Sequence, residues 1–325
     1  MTDRFRTALV FLSLPLLLAA CNDKVVPDPP AAASATLNGV RVIDASTYQL
    51  GVSALDGTQG IVRTGTLTLP RVTDLSAGAA TAQVCGQIQS QDVLTTAITL
   101  DSTGSMADTD PGNLRQQAAQ TFVDRMTPKD RAAVLSFDDG TAASAGLQVA
   151  HQWQDFTSDK ALLSAAVERA TFAGSGTPLY DAIGDAGTLL SASGGSNRSV
   201  LVLTDGDDNS STSLTSPSAV IAAAAKTGVR VYAVGLDSTD TLNFTALEQI
   251  ASRTGGLFQK ASDAAQLKDY FDHMYNAINA QGCLQLTFTS RPPVGTDVTG
   301  HVTFTVSAPG RSDVQLTLPF TVTVR

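Results

Sequence analysis

Hydrophobic positions along residues 91–282 alternate between two spacings. Short apolar runs, such as 93–100 and 200–204, have the length and β-branched content of buried strands. Between these runs, apolar residues recur at every third or fourth position, which is typical of one helix face, as in the series Leu179, Ile183, Ala186 and Leu190. Apolar strands alternating with helices predict an α/β fold: a doubly wound, mostly parallel sheet with helices on both faces.

Local signals predict several helix ends in this segment. Asp110 and Pro111 are suited to cap and begin a helix over 111–126. Gly228 is suited to end a helix over 217–226. The last predicted helix covers 263–280.

The two flanks have a different pattern. Residues 36–90 and 283–325 contain short strand-like runs separated by Gly, Asp and Pro, with period-two alternation over 302–306. Neither flank alone has enough strands for a stable sandwich, whereas together they can form one β-sandwich. We therefore predict a β-rich flank (36–90), an inserted α/β domain (91–282) and a second β-rich flank (283–325) able to pair with the first.

The N-terminus has the features of an export signal. Arg4 and Arg6 precede an apolar run, 8–20, that is too short to span a bilayer. Residues 1–20 are therefore predicted to be a signal peptide, and Leu18-Ala19-Ala20-Cys21 resembles a bacterial lipobox, in which Cys21 becomes lipidated. The alternative is an ordinary secretory signal. The Pro- and Ala-rich segment 21–35 is predicted to be a flexible tether. The export signal and the lipid on Cys21 together predict a protein anchored at the bacterial cell envelope, facing the periplasm or the exterior.

The composition excludes several classes of protein. The 325 residues are 43% hydrophobic and carry a formal net charge of −9, so the chain can bury a core but lacks the basic character of a nucleic-acid binder. Three Cys and three scattered His are too few for a zinc finger or an iron–sulfur cluster. With Cys21 lipidated, Cys85 and Cys283 are left as a candidate disulfide in an oxidising compartment; two free thiols are the alternative.

Oxygen-bearing side chains stand where predicted strands and helices meet. Asp101, Thr103 and Ser105 follow the first strand of the α/β segment, Thr177 precedes a helix, and Asp205 follows a later strand. Ligands of such folds bind at the carboxyl ends of the strands. Two carboxylates and three hydroxyls suit a hard divalent cation, magnesium in the first place, with calcium or manganese as alternatives. The neighbouring acidic residues are expected to be solvated loop tips rather than a rim of the metal site: Asp138, Asp139, Asp207 and Asp208.

These five residues, in this order, resemble the metal-ion-dependent adhesion site of the von Willebrand factor type A domain. The segment 176–183, Gly-Thr-Pro-Leu-Tyr-Asp-Ala-Ile, is also similar to that family, whereas Thr103 stands where the family pattern has Ser. The resemblance implies that Thr103 and Ser105 bind the metal directly, that Thr177 joins them in the ligand-competent state, and that Asp101 and Asp205 act partly through water. It also implies an open coordination position, which an Asp or Glu carboxylate of a partner protein fills.

The predicted function is that of a lipid-anchored, extracytoplasmic protein-binding module for adhesion or assembly. The alternative is an envelope scaffold with a vestigial metal site that binds partners through its β flanks. We do not expect an enzyme, because the sequence lacks a nucleophile elbow and a phosphate-binding loop, and its histidines, His151, His273 and His301, are far apart along the chain.

Overall fold

The structure is a computed structural model that describes residues 31–57, 61–90, 93–170, 174–195, 197–237 and 239–325. The predicted signal peptide and Cys21 lie outside these residues. The strands are β1 (Ala32–Val42), β2 (Thr47–Asp56), β3 (Thr66–Thr73), β4 (Ala79–Ser90), β5 (Leu94–Asp101), β6 (Arg131–Phe137), β7 (Ala150–Thr157), β8 (Asn197–Thr204), β9 (Arg230–Leu236), β10 (Phe258–Ala261), β11 (Ala280–Ser290), β12 (Asp297–Ser307) and β13 (Val314–Thr323). The helices are α1 (Met106–Thr109), α2 (Leu114–Arg125), α3 (Lys160–Arg169), α4 (Leu179–Ala192), α5 (Pro217–Thr227), α6 (Thr245–Thr254) and α7 (Leu267–Asn279).

A six-stranded sheet forms the centre of the α/β domain, in the order β10-β9-β8-β5-β6-β7. All neighbouring strands are parallel except β7, which runs antiparallel to β6 at one edge. One apolar core joins the sheet to α2, α3 and α7, and a second joins its other face to α4, α5 and α6. The predicted doubly wound fold class is confirmed.

The flanks combine in one β-sandwich. One sheet has the order β1-β2-β11-β4 and the other the order β13-β12-β3, so each sheet contains strands from both ends of the chain. Their inner side chains form a single core, with Tyr48 and Leu50 from the N-terminal flank and Leu284, Val302 and Phe304 from the C-terminal flank. Because each flank supplies part of both sheets, neither can complete the sandwich alone.

The α/β domain is inserted between two neighbouring strands of this sandwich. Antiparallel β4 and β11 are hydrogen-bonded neighbours, and the chain leaves the sandwich after β4 and returns directly from α7 into β11. A disulfide joins Cys85 to Cys283 across this pair, with a Cα–Cα distance of 5.0 Å. The predicted cysteine pairing is confirmed. The sandwich thus attaches near Leu94, where β5 begins, which is the amino end of the parallel strands.

Several predicted boundaries need correction. The last helix of the α/β domain, predicted over 263–280, is α7 (Leu267–Asn279), and β11 of the sandwich already begins at Ala280, inside the predicted α/β domain (91–282). Strand β1 begins at Ala32, inside the predicted tether, because residues 32–35 pair with the end of β2. Helix α2 begins at Leu114 rather than Pro111, since Asn113 adopts a left-handed backbone (φ 52°) just before it. Asp110 nevertheless caps this helix from a distance, by accepting hydrogen bonds from the backbone N–H groups of Leu114 and Arg115. Among the described residues, no helix has the length and apolarity needed to cross a membrane.

Candidate metal centre

The first carboxylate of the site lies at the end of strand β5, at the carboxyl edge of the sheet. Asp101 is its last residue and is fully buried. Asp101 Oδ1 accepts hydrogen bonds from the Thr103 backbone N–H (2.9 Å) and the Thr103 hydroxyl (2.7 Å). Its Oδ2 accepts one from the Thr204 hydroxyl at the end of β8 (2.6 Å). The carboxylate is therefore held rigidly between two neighbouring strands.

The second carboxylate of the cluster belongs to Asp205, which directly follows β8. Ser105 Oγ lies 3.1 Å from Thr103 Oγ1 and donates a hydrogen bond to Asp205 Oδ1 (2.8 Å). Thr109, one helical turn beyond Ser105, donates its hydroxyl to the other oxygen of Asp205. Four of the five predicted site residues thus form one hydrogen-bonded cluster.

Thr177 reaches the same edge on a separate loop. Gly174 pairs with Thr103 in a parallel β-bridge, which brings the loop before α4 beside residues 101–105. The Thr177 hydroxyl lies 3.5 Å from the position that a Cβ on Gly206 would occupy, directly after Asp205. Asn209 fixes the Thr177 backbone by accepting its N–H at 2.7 Å and donating its own N–H to the Thr177 carbonyl at 3.1 Å.

The neighbouring acidic residues hold these loops together. Asp138 is buried, contrary to the expectation of a solvated loop tip, because it accepts hydrogen bonds from Ser102 and from Gly140 and Thr141. Asp139 accepts the Ser175 N–H at 2.8 Å and so ties the Thr177 loop to the end of β6. Hydrogen bonds of this kind from Gly176 and Ser175 lower the pKa of Asp139.

Burial sets the electrostatics of the cluster. Desolvation raises the pKa of Asp101 to about 6, assisted by the negative charge of Asp205 and opposed by the hydrogen bonds from Thr204 and Thr103. A fully buried Arg115 lies behind the site and forms an ion pair with Asp110 at 3.2 Å. Burial lowers the pKa of Arg115, while the charges of Asp110, Asp101 and Asp205 oppose that shift. The carboxyl groups of Asp101 and Asp205 thus lie close together in a buried place, where a nearby cation would favour their charged forms.

The donor set fits a hard divalent cation. The Thr103 and Ser105 hydroxyl protons are directed to Asp101 and Asp205, so lone pairs of both hydroxyl oxygens stay available to a metal. Their separation of 3.1 Å is near the ~2.9 Å edge of an octahedron with metal–oxygen bonds of about 2.0–2.1 Å. Among the described residues, no group of three or more His, Cys, Asp or Glu could hold a metal ion.

The sequence analysis missed three residues that support the site. Thr204 anchors Asp101, Thr109 anchors Asp205, and Asn209 anchors Thr177. Thr204 was detectable as the residue just before Asp205, and Thr109 as the residue four positions after Ser105 in a helical turn. Asn209 acts across 32 residues, and no local pattern marks such a contact. Ser102 does not join the cluster: its hydroxyl donates to Phe137 O and Asp138.

The chain is similar to several proteins of known structure. Proximal thread matrix protein 1 from the mussel byssus is 20% identical (TM-score 0.49, 64% of this chain and 51% of that protein), so the chain spans about half its length. A von Willebrand factor type A protein from Catenulispora acidiphila is 13% identical (TM-score 0.48, 89% and 73%). The vWF domain of the type V pili tip protein Mfa5 from Porphyromonas gingivalis is 16% identical (TM-score 0.43, 57% and 95%).

No curated protein matches the chain. The family profile described as the von Willebrand factor type A domain matches residues 97–273, from the middle of β5 into α7. This match takes in more than half of the 325 residues and contains all five residues of the candidate metal centre. The chain therefore belongs to the von Willebrand factor type A domain family.

Proposed function

We propose that the chain binds a divalent cation through Asp101, Thr103, Ser105, Thr177 and Asp205, and uses that cation to capture a carboxylate of a partner protein. The observation that carries this proposal is the convergence of two buried carboxylates with hydroxyl groups at the carboxyl ends of β5 and β8. Magnesium is the first candidate because all the donors are oxygen atoms and the hydroxyl spacing suits a small octahedral ion.

The charge of the donor set explains why we expect the partner to bind through a carboxylate. Three of the five proposed ligands are neutral hydroxyls, and in this proposal the two carboxylates act partly through water. The metal therefore stays electrophilic enough to accept an additional anionic ligand. A chain of net charge −9 would otherwise repel acidic partners. In the same proposal, lipid on Cys21 anchors the module at the bacterial envelope, where it acts in adhesion or assembly as a binding protein rather than an enzyme.

Metal binding is tested by thermal unfolding of the chain from residue 31, with millimolar Mg²⁺, Mn²⁺ or Ca²⁺ or with EDTA. A cation at ~100 times its Kd stabilises the folded state by about 2.7 kcal/mol. The wild type and the control Asp108→Ala, which removes an exposed carboxylate from neighbouring α1, should gain this stability. Asp101→Ala and Thr103→Val should not. Equal cation shifts in all four proteins, or no shift in any, would refute the proposed site and favour a scaffold that binds through its β flanks.

Carboxylate capture is tested separately by water-proton relaxation of protein-bound Mn²⁺. Acetate that enters the open coordination position displaces a water molecule, so the relaxation enhancement should fall as acetate is added. Acetamide, which is neutral, is the matched control and should leave the signal unchanged. Bound Mn²⁺ that is indifferent to acetate would retain the metal site but reject carboxylate capture.

A further inference from the structure

The loop after β9 has nearly the same sequence as the first loop of the candidate metal centre. Residues 101–105 are Asp-Ser-Thr-Gly-Ser, and residues 237–241 are Asp-Ser-Thr-Asp-Thr. Each segment lies at the carboxyl end of a parallel strand, because β5 ends at Asp101 and β9 ends directly before Asp237. Only β8 lies between these two strands in the sheet. The same order of carboxylate and hydroxyl side chains therefore occurs twice at one edge of the sheet.

The hydrogen bonds of the second loop also resemble those of the first. Asp237 is buried (2% exposed), and its Oδ1 accepts hydrogen bonds from the Thr239 hydroxyl (3.3 Å) and the Thr241 backbone N–H (3.1 Å). The hydroxyl oxygens of Thr239 and Thr241 lie 2.7 Å apart, compared with 3.1 Å for the corresponding pair in the first loop. The second loop thus places a buried carboxylate beside two adjacent hydroxyl groups, as the candidate metal centre does.

The two loops differ in the group that lies between their carboxylates. Lys260 extends from β10, the neighbour of β9, and its Nζ lies 3.0 Å from Asp237 Oδ2 and 2.5 Å from Asp240 Oδ1. Asp240 adopts a left-handed backbone (φ 54°) within this loop. In the first centre, by contrast, hydroxyl groups connect the two carboxylates. The second loop therefore already contains a positive charge, and that charge belongs to the chain itself.

The ammonium group meets the requirement that a metal ion would otherwise meet. It is a compact positive charge with three donor hydrogens, and hydrogen bonds to Asp240 and Asp237 raise the pKa of Lys260, so it stays charged at neutral pH. A buried carboxylate needs a positive partner or strong donors. Carboxylate and hydroxyl oxygens are also the ligands of hard divalent cations. Occupation by Lys260 and occupation by a metal are consequently mutually exclusive.

We propose that residues 237–241 form a second loop of the metal-binding type, in which the ammonium group of Lys260 takes the place of the divalent cation. Lys260 thereby confines metal binding to the centre at Asp101 and holds the loop after β9 closed without a metal. The confinement rests on the function proposed above, whereas the exchange of a metal for an ammonium group does not.

The test counts bound Mn²⁺ by electron paramagnetic resonance, in which free Mn²⁺ gives the signal, on the chain from residue 31 at neutral pH. All proteins carry Asp101→Ala, so that the first centre does not contribute. At millimolar Mn²⁺, adding Lys260→Met should give one bound Mn²⁺ more per chain than the parent protein. The control Lys226→Met, which removes an exposed lysine at the end of α5, should give no gain. Asp237→Asn, added to the Lys260→Met protein, should abolish the gain.

The outcome does not depend on whether the first centre binds a metal, because only the difference between variants is read. Absence of a gain with Lys260→Met would overturn the proposal. Mn²⁺ that the parent protein binds and loses on Asp237→Asn would also overturn it, since Lys260 would then not exclude the metal.

Thermal unfolding followed by circular dichroism gives a second readout. In EDTA, Lys260→Met leaves the buried Asp237 carboxylate without its cation and should lower the melting temperature. Mn²⁺ should recover most of that loss, and it should leave the Lys226→Met control unchanged. If Lys260→Met does not fold in EDTA, Lys260→Gln, which keeps an amide donor for Asp237, replaces it with the same expected gain of one Mn²⁺. A Lys260→Met protein that melts as the parent does, with and without Mn²⁺, would identify an ordinary surface ion pair and reject the proposal.

Discussion

Substitutions in the buried ion pair near the metal centre test how much an unpaired buried charge lowers the free energy of unfolding. Asp110 and Arg115 are both 0% exposed at their side chains, and Asp110 also accepts the N–H groups of Leu114 and Arg115 at the start of α2. Asp110→Ala removes both the ion-pair partner and the helix cap. Arg115→Met removes only the guanidinium and leaves Asp110 bonded to the helix N-terminus.

The magnitudes follow from this difference. Loss of a helix cap costs about 1 kcal/mol, and leaving a buried charge unpaired costs about 3–5 kcal/mol. Asp110→Ala should therefore lower the free energy of unfolding by about 4–6 kcal/mol. The double variant Asp110→Ala/Arg115→Met no longer buries an unpaired charge, so it should regain about 3 kcal/mol relative to Asp110→Ala.

The assay is urea unfolding followed by circular dichroism, with melting temperatures as a second readout at about 2–4 °C per kcal/mol. The control is Asp272→Ala, which breaks a partly exposed ion pair between Arg125 and Asp272 (2.6 Å, side chains 27% and 28% exposed) and should cost about 1 kcal/mol or less. The reasoning fails if the double variant is no more stable than Asp110→Ala alone, because the unpaired charge would then not be the source of the loss.

Three further outcomes are expected. Burial alone would raise the pKa of Asp237, but hydrogen bonds from Lys260 and nearby backbone N–H groups outweigh it and hold that pKa below its ordinary value. The stability that Asp237→Asn removes should therefore be present at pH 7 and be lost progressively as the pH falls below about 4. Urea unfolding of the wild type and the variant, at pH 7 and at a series of pH values below about 4, measures this difference. Gly187→Ala should raise the unfolding free energy by about 1 kcal/mol, because the residue is inside α4 and nothing lies within 4 Å of the added Cβ; an unchanged or lower value would show that α4 lacks this space. Replacing Cys85 and Cys283 by Ser should lower the free energy of unfolding by up to about 5 kcal/mol, measured by urea unfolding. Reduction of the disulfide in the wild type should lower it by the same amount.

Periodicity and capping residues predicted much of the fold. Gly228 ends α5 with φ 65°, as its residue type suggests. The α2 boundary was wrong because Asp110 caps from a turn away, through a left-handed Asn113 that no local pattern announces.

The candidate site was predictable only in part. Its five residues follow from motif order, whereas their supports depend on contacts between strands that sequence spacing does not reveal, such as that between Thr204 and Asp101.

The interleaved order of the strands also determines how the chain can fold. β3 pairs with β12 and β4 pairs with β11, so the N-terminal half of the sandwich is synthesised long before its partners exist. The α/β domain is contiguous, and its folding brings residues 85 and 283 together across a separation of 198 residues. The inserted domain therefore supplies loop closure that the sandwich would otherwise have to achieve by chance, at an entropic cost of roughly 5 kcal/mol. Variants that unfold the insert should consequently delay disulfide formation and sandwich assembly, whereas variants confined to β12 or β13 should leave the insert able to fold first.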